Sequence, residues 1–189
     1  MLEGILDRHV KALGTIRSMQ PRIEEMARGI SACLLNGGKV LLCGNGGSAA
    51  DCQHIAAELV GRYQRERIGY PAIALTVDTS ILTAVGNDYD FNHVFCRQVQ
   101  ALMQPEDILW CISTSGRSAN VVSAARWARE EVQGTVYSFT GSKPSPLGAY
   151  SHITVAVGGE ETARIQECHM IVAHAICEML DEILIGEDK

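Results

Sequence analysis

Two short stretches and two helical pairings in this chain hold residue types able to do chemistry. The first stretch, Gly44-Asn45-Gly46-Gly47-Ser48, follows the apolar run Val40–Cys43. Its glycines let backbone N–H groups approach a ligand, and a helix starting there turns its positive end to an anion. With Ala49 the stretch also fits G-x-G-x-x-A, a dinucleotide pattern that expects an acidic residue about 20 positions on, whereas Asp78 stands roughly 30 positions past the glycines. A tight strand-to-helix turn without ligand is the plain alternative. The second stretch is Ser113-Thr114-Ser115-Gly116-Arg117-Ser118, after another apolar run. Its hydroxyls and amides can wrap a phosphate at a helix N-terminus, and helix-capping serines are the ordinary alternative. No Walker lysine accompanies it, so a phosphate monoester on a sugar suits it better than a nucleoside triphosphate.

His54 and Glu58 stand at i and i+4, on one face of the helix that begins beside the glycine stretch. Gln166 and His174 stand at i and i+8, about two turns apart on one face of a later helix. A carboxylate facing a histidine suits proton transfer on a carbonyl substrate, and His, His and Glu also suit zinc. Solvated helix-face pairs are the commoner origin of such spacings. Asn87-Asp88 is expected in a loop at the same sheet edge, either binding sugar hydroxyls or forming an Asx turn. Arg62, Arg65 and Arg67 follow the first sheet helix and could meet a phosphate, a neighbouring subunit or water, with Arg65 and Arg67 read as the water-facing ones. His9, His93, His152 and His169 read as structural or surface residues.

Positioning these groups requires a layered frame. Apolar runs at Val40–Cys43, Ala72–Leu75, Ile108–Ile112, Thr135–Phe139 and Ile153–Val157 predict strands buried on both faces, as in a parallel sheet covered by helices. Helices are expected at Ala49–Tyr63, Thr79–Val85, Asn92–Leu102, Ala119–Glu131 and about Thr162–Ile185. Two helices lead, weakened at Gly14, with Pro21 in the first turn of the second and Asn36-Gly37-Gly38 ending it. The reading is an α/β fold in one domain: residues 1–36 as leading helices, 37–189 as sheet and flanking helices, and a frayed tail over the last four.

Composition narrows the class. At 189 residues and 47% hydrophobic, the chain can bury a core without metal or disulfide. A net charge of −6 argues against nucleic acid as a partner. The seven cysteines include no C-x-x-C pair, which argues against a disulfide scaffold or zinc knuckle. No apolar run approaches the ~20 residues that span a bilayer, and no signal-peptide pattern opens the chain, so a reduced, cytoplasmic protein is expected.

Gly44-Asn45-Gly46-Gly47-Ser48-Ala49-Ala50-Asp51, His54-Ile55-Ala56-Ala57-Glu58, Gly86-Asn87-Asp88, Ser113-Thr114-Ser115-Gly116 and Arg164-Ile165-Gln166-Glu167 occur in this order. In that combination the chain resembles the sugar isomerase (SIS) domain family, specifically the phosphoheptose isomerases, over essentially its whole length. The resemblance implies a three-layer SIS fold with a five-stranded parallel sheet, and a homotetramer with active sites between subunits. It implies isomerisation of sedoheptulose 7-phosphate to D-glycero-D-manno-heptose 7-phosphate through an enediol, the entry to ADP-heptose and the lipopolysaccharide core. It implies one zinc ion per subunit on His54, Glu58, Gln166 and His174, with Glu58 and His174 as the catalytic pair. Substrate contacts are implied for Asn45, Gly46, Gly47, Ser48, Glu58, Asn87, Asp88, Ser113, Thr114, Ser115, Ser118 and Gln166, with Arg62 near the site. Three departures stand out: Arg117 where relatives commonly have asparagine, Ala163 where some place an aspartate, and Pro144 and Pro146 in a usually glycine-rich loop. The family also includes an adaptor that binds the bacterial replication initiator and lacks the glutamate matching Glu58. It includes sugar-phosphate-sensing modules as well, and both are alternatives to an enzyme.

Overall fold

A computed structural model of the chain describes residues 1–186. Helix α1 (Leu2–Gly14) ends at the predicted weak glycine, and a 3-10 turn at Ile16–Met19 leads into α2 (Gln20–Leu35), which carries Pro21 in its first turn. Gly37 then takes the positive φ that closes a helix (82°). Strand and helix alternate thereafter: β1 (Val40–Gly44), α3 (Gly47–Val60), β2 (Ala72–Ala74), α4 (Thr79–Asp88), α5 (Cys96–Leu102) and β3 (Ile108–Ser113). The chain continues through α6 (Ala119–Glu130), β4 (Thr135–Gly141), α7 (Pro146–Tyr150), β5 (Ile153–Val157) and α8 (Thr162–Gly186).

The five strands form one parallel sheet in the order β2-β1-β3-β4-β5. Successive side chains of each strand enter opposite cores. Val40 and Leu42 of β1, Ile108, Trp110 and Ile112 of β3, and Tyr137 and Phe139 of β4 face the side covered by α2, α3 and α8. Leu41, Cys43, Leu109, Cys111 and Val136 face the side covered by α5, α6 and α7. Trp110 meets Phe139 edge-on at 5.0 Å between ring centroids, and both are fully buried. This two-sided burial is why these strands read as continuous apolar runs rather than alternating ones. All seven cysteines are free and buried. Among the described residues no helix is long and apolar enough to cross a membrane.

The order 2-1-3-4-5 reverses direction once, between β1 and β3. Loops leaving those two carboxyl ends part to opposite faces and open a crevice, the usual ligand position in such sheets. Both chemistry-bearing stretches sit there.

Three expectations need correction. Asn87 and Asp88 are not in a loop but form the last turn of α4, because Asp78 caps that helix by accepting from the Ile81 N–H at 2.9 Å and the helix runs on to Asp88. The helix expected over Asn92–Leu102 is split into a 3-10 turn at Phe91–His93 and α5, with Asp90 accepting from the Asn92 N–H at 2.7 Å. Helix α7 replaces the loop expected around Pro144 and Pro146, because Ser145 caps it by accepting from the Gly148 N–H and Pro146 suits its first turn. Of the tail expected to fray, Gly186 closes α8, and 187–189 lie outside the described residues.

Candidate functional site

The glycine stretch is built as a strand-to-helix turn with room above it. Gly46 has φ 56° and ψ −122°, a conformation that disfavours any side chain. A Cβ at Gly47 would meet the side-chain amide of Gln166, so a larger residue there would have to push that amide aside. Asn45 and Asn120 pair reciprocally, each side-chain amide donating to the other's oxygen at 2.8 Å. This ties the loop after β1 to the start of α6. Ser48 is buried in the first turn of α3.

In the loop after β3 the hydroxyls do not act as caps. Ser118 occupies the N-cap position of α6 without a side-chain capping bond, and its Oγ lies 3.0 Å from that of Ser113. Ser115 Oγ accepts from the Arg117 N–H at 3.2 Å, and Gly116 takes a positive φ of 62°. Ser113 is buried and Thr114 is half-buried. The arrangement leaves a turn rich in hydroxyl and amide groups at the crevice.

The helical pairings converge. His54 Nε2 lies 3.0 Å from Glu58 Oε1, and His174 Nε2 of α8 lies 3.4 Å from His54 Nε2. Tyr63, just past α3, stacks on the His174 ring at 24° and 5.7 Å between centroids. Two imidazole nitrogens and a carboxylate oxygen thus lie within 4.8 Å of one another, half-exposed. Ligands about 2.0–2.1 Å from a tetrahedral zinc sit roughly 3.3 Å apart, so the 3.4 Å between the two imidazole nitrogens fits such an ion. Gln166 lies nearer the start of α3, where its Nε2 donates to Asp51 Oδ1 at 3.3 Å. Burial pushes the Asp51 carboxyl up from its ordinary value, against the opposing pull of Gln166 and His54.

Two candidates make their polar contacts outside this cluster. The Asn87 amide donates to its neighbour Asp88 at 2.8 Å on an exposed helix end. Arg62 is exposed and pairs with Glu66 at 3.4 Å. Arg67, expected to face water, is buried. Its Nε donates to Asp181 Oδ1 at 2.8 Å, and its other nitrogens donate to the carbonyls of Glu58, Leu59 and Ile68 at 2.8–3.0 Å. Among the quieter histidines, His169 is fully buried on the Thr140 carbonyl at 3.1 Å, and His9 reaches Glu167 at 2.7 Å.

Sequence reasoning gave no role to Asp51, Tyr63 or Asn120. Asp51 was within reach, because residues 47, 51, 54 and 58 form one helical stripe. Tyr63 and Asn120 carried no such signal, since their partners lie far away in the chain.

The profile of the SIS domain family matches residues 9–141. Among curated proteins, the chain is 51% identical to the phosphoheptose isomerase of Roseiflexus sp. (strain RS-1), over 92% of this chain and 87% of that one. It is 46% identical to that of Methylibium petroleiphilum, over 99% and 97%. Among solved structures, phosphoheptose isomerase GmhA from Neisseria gonorrhoeae superposes with a TM-score of 0.90 at 40% identity, covering 96% of this chain and 97% of that one. A phosphoheptose isomerase from Francisella tularensis gives 0.91 at 37%, covering 96% of each. The Vibrio vulnificus NanR protein complexed with ManNAc-6P, at 16% identity and 0.70, shares the fold alone.

Proposed function

The chain belongs to the SIS domain family and within it to the phosphoheptose isomerases, and from that premise we propose how its residues interconvert sedoheptulose 7-phosphate and D-glycero-D-manno-heptose 7-phosphate. One observation carries the assignment of parts. Helix α3 begins in the phosphate-competent turn and, further along, bears two of the three clustered acid–base groups. From Ser48 to His54 the helix advances about 9 Å, a length suited to an extended sugar held by its phosphate at one end.

The hydroxyls of Ser48, Ser113, Thr114, Ser115 and Ser118, with the amides around Asn45–Gly47, grip the phosphate and present the carbonyl end to Glu58 and His174. Such remote grip orients the reacting carbons. Glu58 takes the proton from one of the two carbons and returns it to the other, and His174 moves the proton between the two oxygens of the enediol. Gln166, held by Asp51, faces the substrate between these ends. Asn87 and Asp88 contribute sugar-hydroxyl contacts. A zinc ion held by His54, Glu58 and His174, with Gln166 as fourth ligand once its amide turns from Asp51, would polarise the carbonyl and stabilise charge on the enediol oxygens.

We read residues 1–189 as one such domain, acting in the cytoplasm as a homotetramer and feeding heptose to the lipopolysaccharide core. The tetramer reading draws on Leu2, Leu6, Val10 and Leu13, an exposed apolar stripe on α1. The adaptor and sensor alternatives are not favoured, because curated relatives over nearly the full length are isomerases. The test is incubation of zinc-loaded protein with sedoheptulose 7-phosphate while the aldose is followed by NMR. Aldose that appears with the wild type and vanishes with Glu58→Gln supports the assignment. Absence of aldose from the metal-loaded wild type overturns it.

A further inference from the structure

Two loops wall the crevice beside Ser113–Ser118. A cavity of about 280 Å³ opens between them, lined by Thr114, Ser115 and Arg117 of the first, by Lys143 of the segment after β4, by Glu160 ahead of α8 and by Thr162 at its start. The loops are tied together. The Gly141 N–H donates to the Thr114 carbonyl at 2.9 Å, the Leu147 N–H to the Gly116 carbonyl at 3.1 Å, and the Arg117 guanidinium to the Pro144 carbonyl at 3.2 Å. A Cβ at Gly116 would collide with the Ser145 side chain, so the contact is close. Pro144 and Pro146 restrict the backbone beside Lys143.

A phosphate monoester carries about −1.5 to −2 at neutral pH. The hydroxyls and amides of the first loop solvate that charge but do not balance it. Arg117 is turned toward the Pro144 carbonyl, and Lys143 makes no ion pair with another described residue. Against the single carboxylate of Glu160, the two cations leave the cavity one positive charge in excess.

We propose that Lys143 is a further substrate-binding residue, the cation that meets the phosphate held by Ser113–Ser118, and that Arg117 positions it by tying the two loops together. This rests on the phosphosugar reading of the site, so the deciding measurement does not depend on turnover. Binding of inorganic phosphate by calorimetry is compared for the wild type, Lys143→Met, Lys143→Arg and Lys11→Met. Lys11 belongs to a neighbouring cleft that shares Lys143 but not Thr114 or Ser115, and it controls for a general loss of positive charge. Lys143→Met is expected to weaken phosphate about tenfold, with KM rising to match and kcat within about twofold, while Lys143→Arg recovers most of the loss. Lys11→Met should leave phosphate binding unchanged. Equal binding by Lys143→Met and the wild type overturns the proposal, whatever the isomerase activity. An equal loss in Lys11→Met also overturns it.

Discussion

Helices α3 and α8 are joined by two polar clusters seven residues apart on α8, and the two could hardly differ more. At Asp181 the carboxylate accepts from Arg67 Nε and from the backbone N–H groups of Gln64 and Arg65, and both side chains are buried. The Arg67 guanidinium also lies 4.2 Å over the Tyr70 ring. At His174 two imidazole nitrogens confront each other at 3.4 Å beside Glu58, half-open to water. The first cluster has every charge answered and fastens the segment after α3 to α8. The second keeps lone pairs and a carboxylate oxygen turned toward a common point, where an outside group can complete them. The same pair of helices thus holds a staple and the proposed reactive site, and satisfaction of polar groups separates them.

Exchanging the losses between the two clusters tests the contrast. Glu58→Gln and His174→Gln should each cut turnover by about 10³-fold while shifting the stability of the metal-free protein by less than ~1 kcal/mol. Arg67→Ala should do the reverse, costing about 3–5 kcal/mol in urea unfolding by stranding Asp181 in the interior. A stable, active Arg67→Ala protein would remove the distinction.

Acid sharpens the comparison further. Burial pushes the imidazole of His169 down to about 4, so between 6.5 and 4 the unfolded chain binds a proton that the folded one refuses. Stability should therefore fall by roughly 3 kcal/mol as pH drops through that range, and His169→Gln should flatten the slope. Asp181 behaves differently. Burial alone would push its carboxyl up, but Arg67 and the two amides outweigh this and hold it below its ordinary value. Its contribution is complete above the ordinary carboxylate value and is lost only as pH falls through the lowered one. The staple should accordingly outlast His169 in an acid titration followed by circular dichroism. The smallest effect is expected from chelation. With the proposed zinc supplied at about 100 times its Kd, stripping it should lower stability by roughly 2.7 kcal/mol at most, and Arg67 variants should show the same decrement.

The strands were legible because a strand buried on both faces writes itself as an unbroken apolar run, as in Val40–Cys43 and Ile108–Ile112. The pairing of His54 with Glu58 was legible because helical periodicity fixes it locally. What stayed hidden depends on distant partners. Arg67 looked like a solvated cation because Asp181 is 114 residues away. Asn87 and Asp88 resembled a turn because Gly86-Asn87-Asp88 has turn composition, yet the Asp78 cap and the contacts of Leu82 and Val85 with the core extend the helix through them. Helix α7 was obscured by its prolines, although a serine cap followed by proline is a helix start. The meeting of His54 with His174 required the fold itself, since periodicity within α3 or α8 cannot say which faces approach.

The seven buried thiols have a practical consequence. Burial pushes Cys33 up to about 11 and Cys177 up to about 12, and it raises Cys52, Cys111 and Cys168 as well. Sealed from solvent, all seven ignore alkylating reagents until the backbone around them opens. They lie on α2, α3, α5, α8 and strands β1 and β3, so mass-resolved alkylation would time the breathing of each layer separately. The sequence has thereby placed its own stopwatches through the sheet, with no label to engineer.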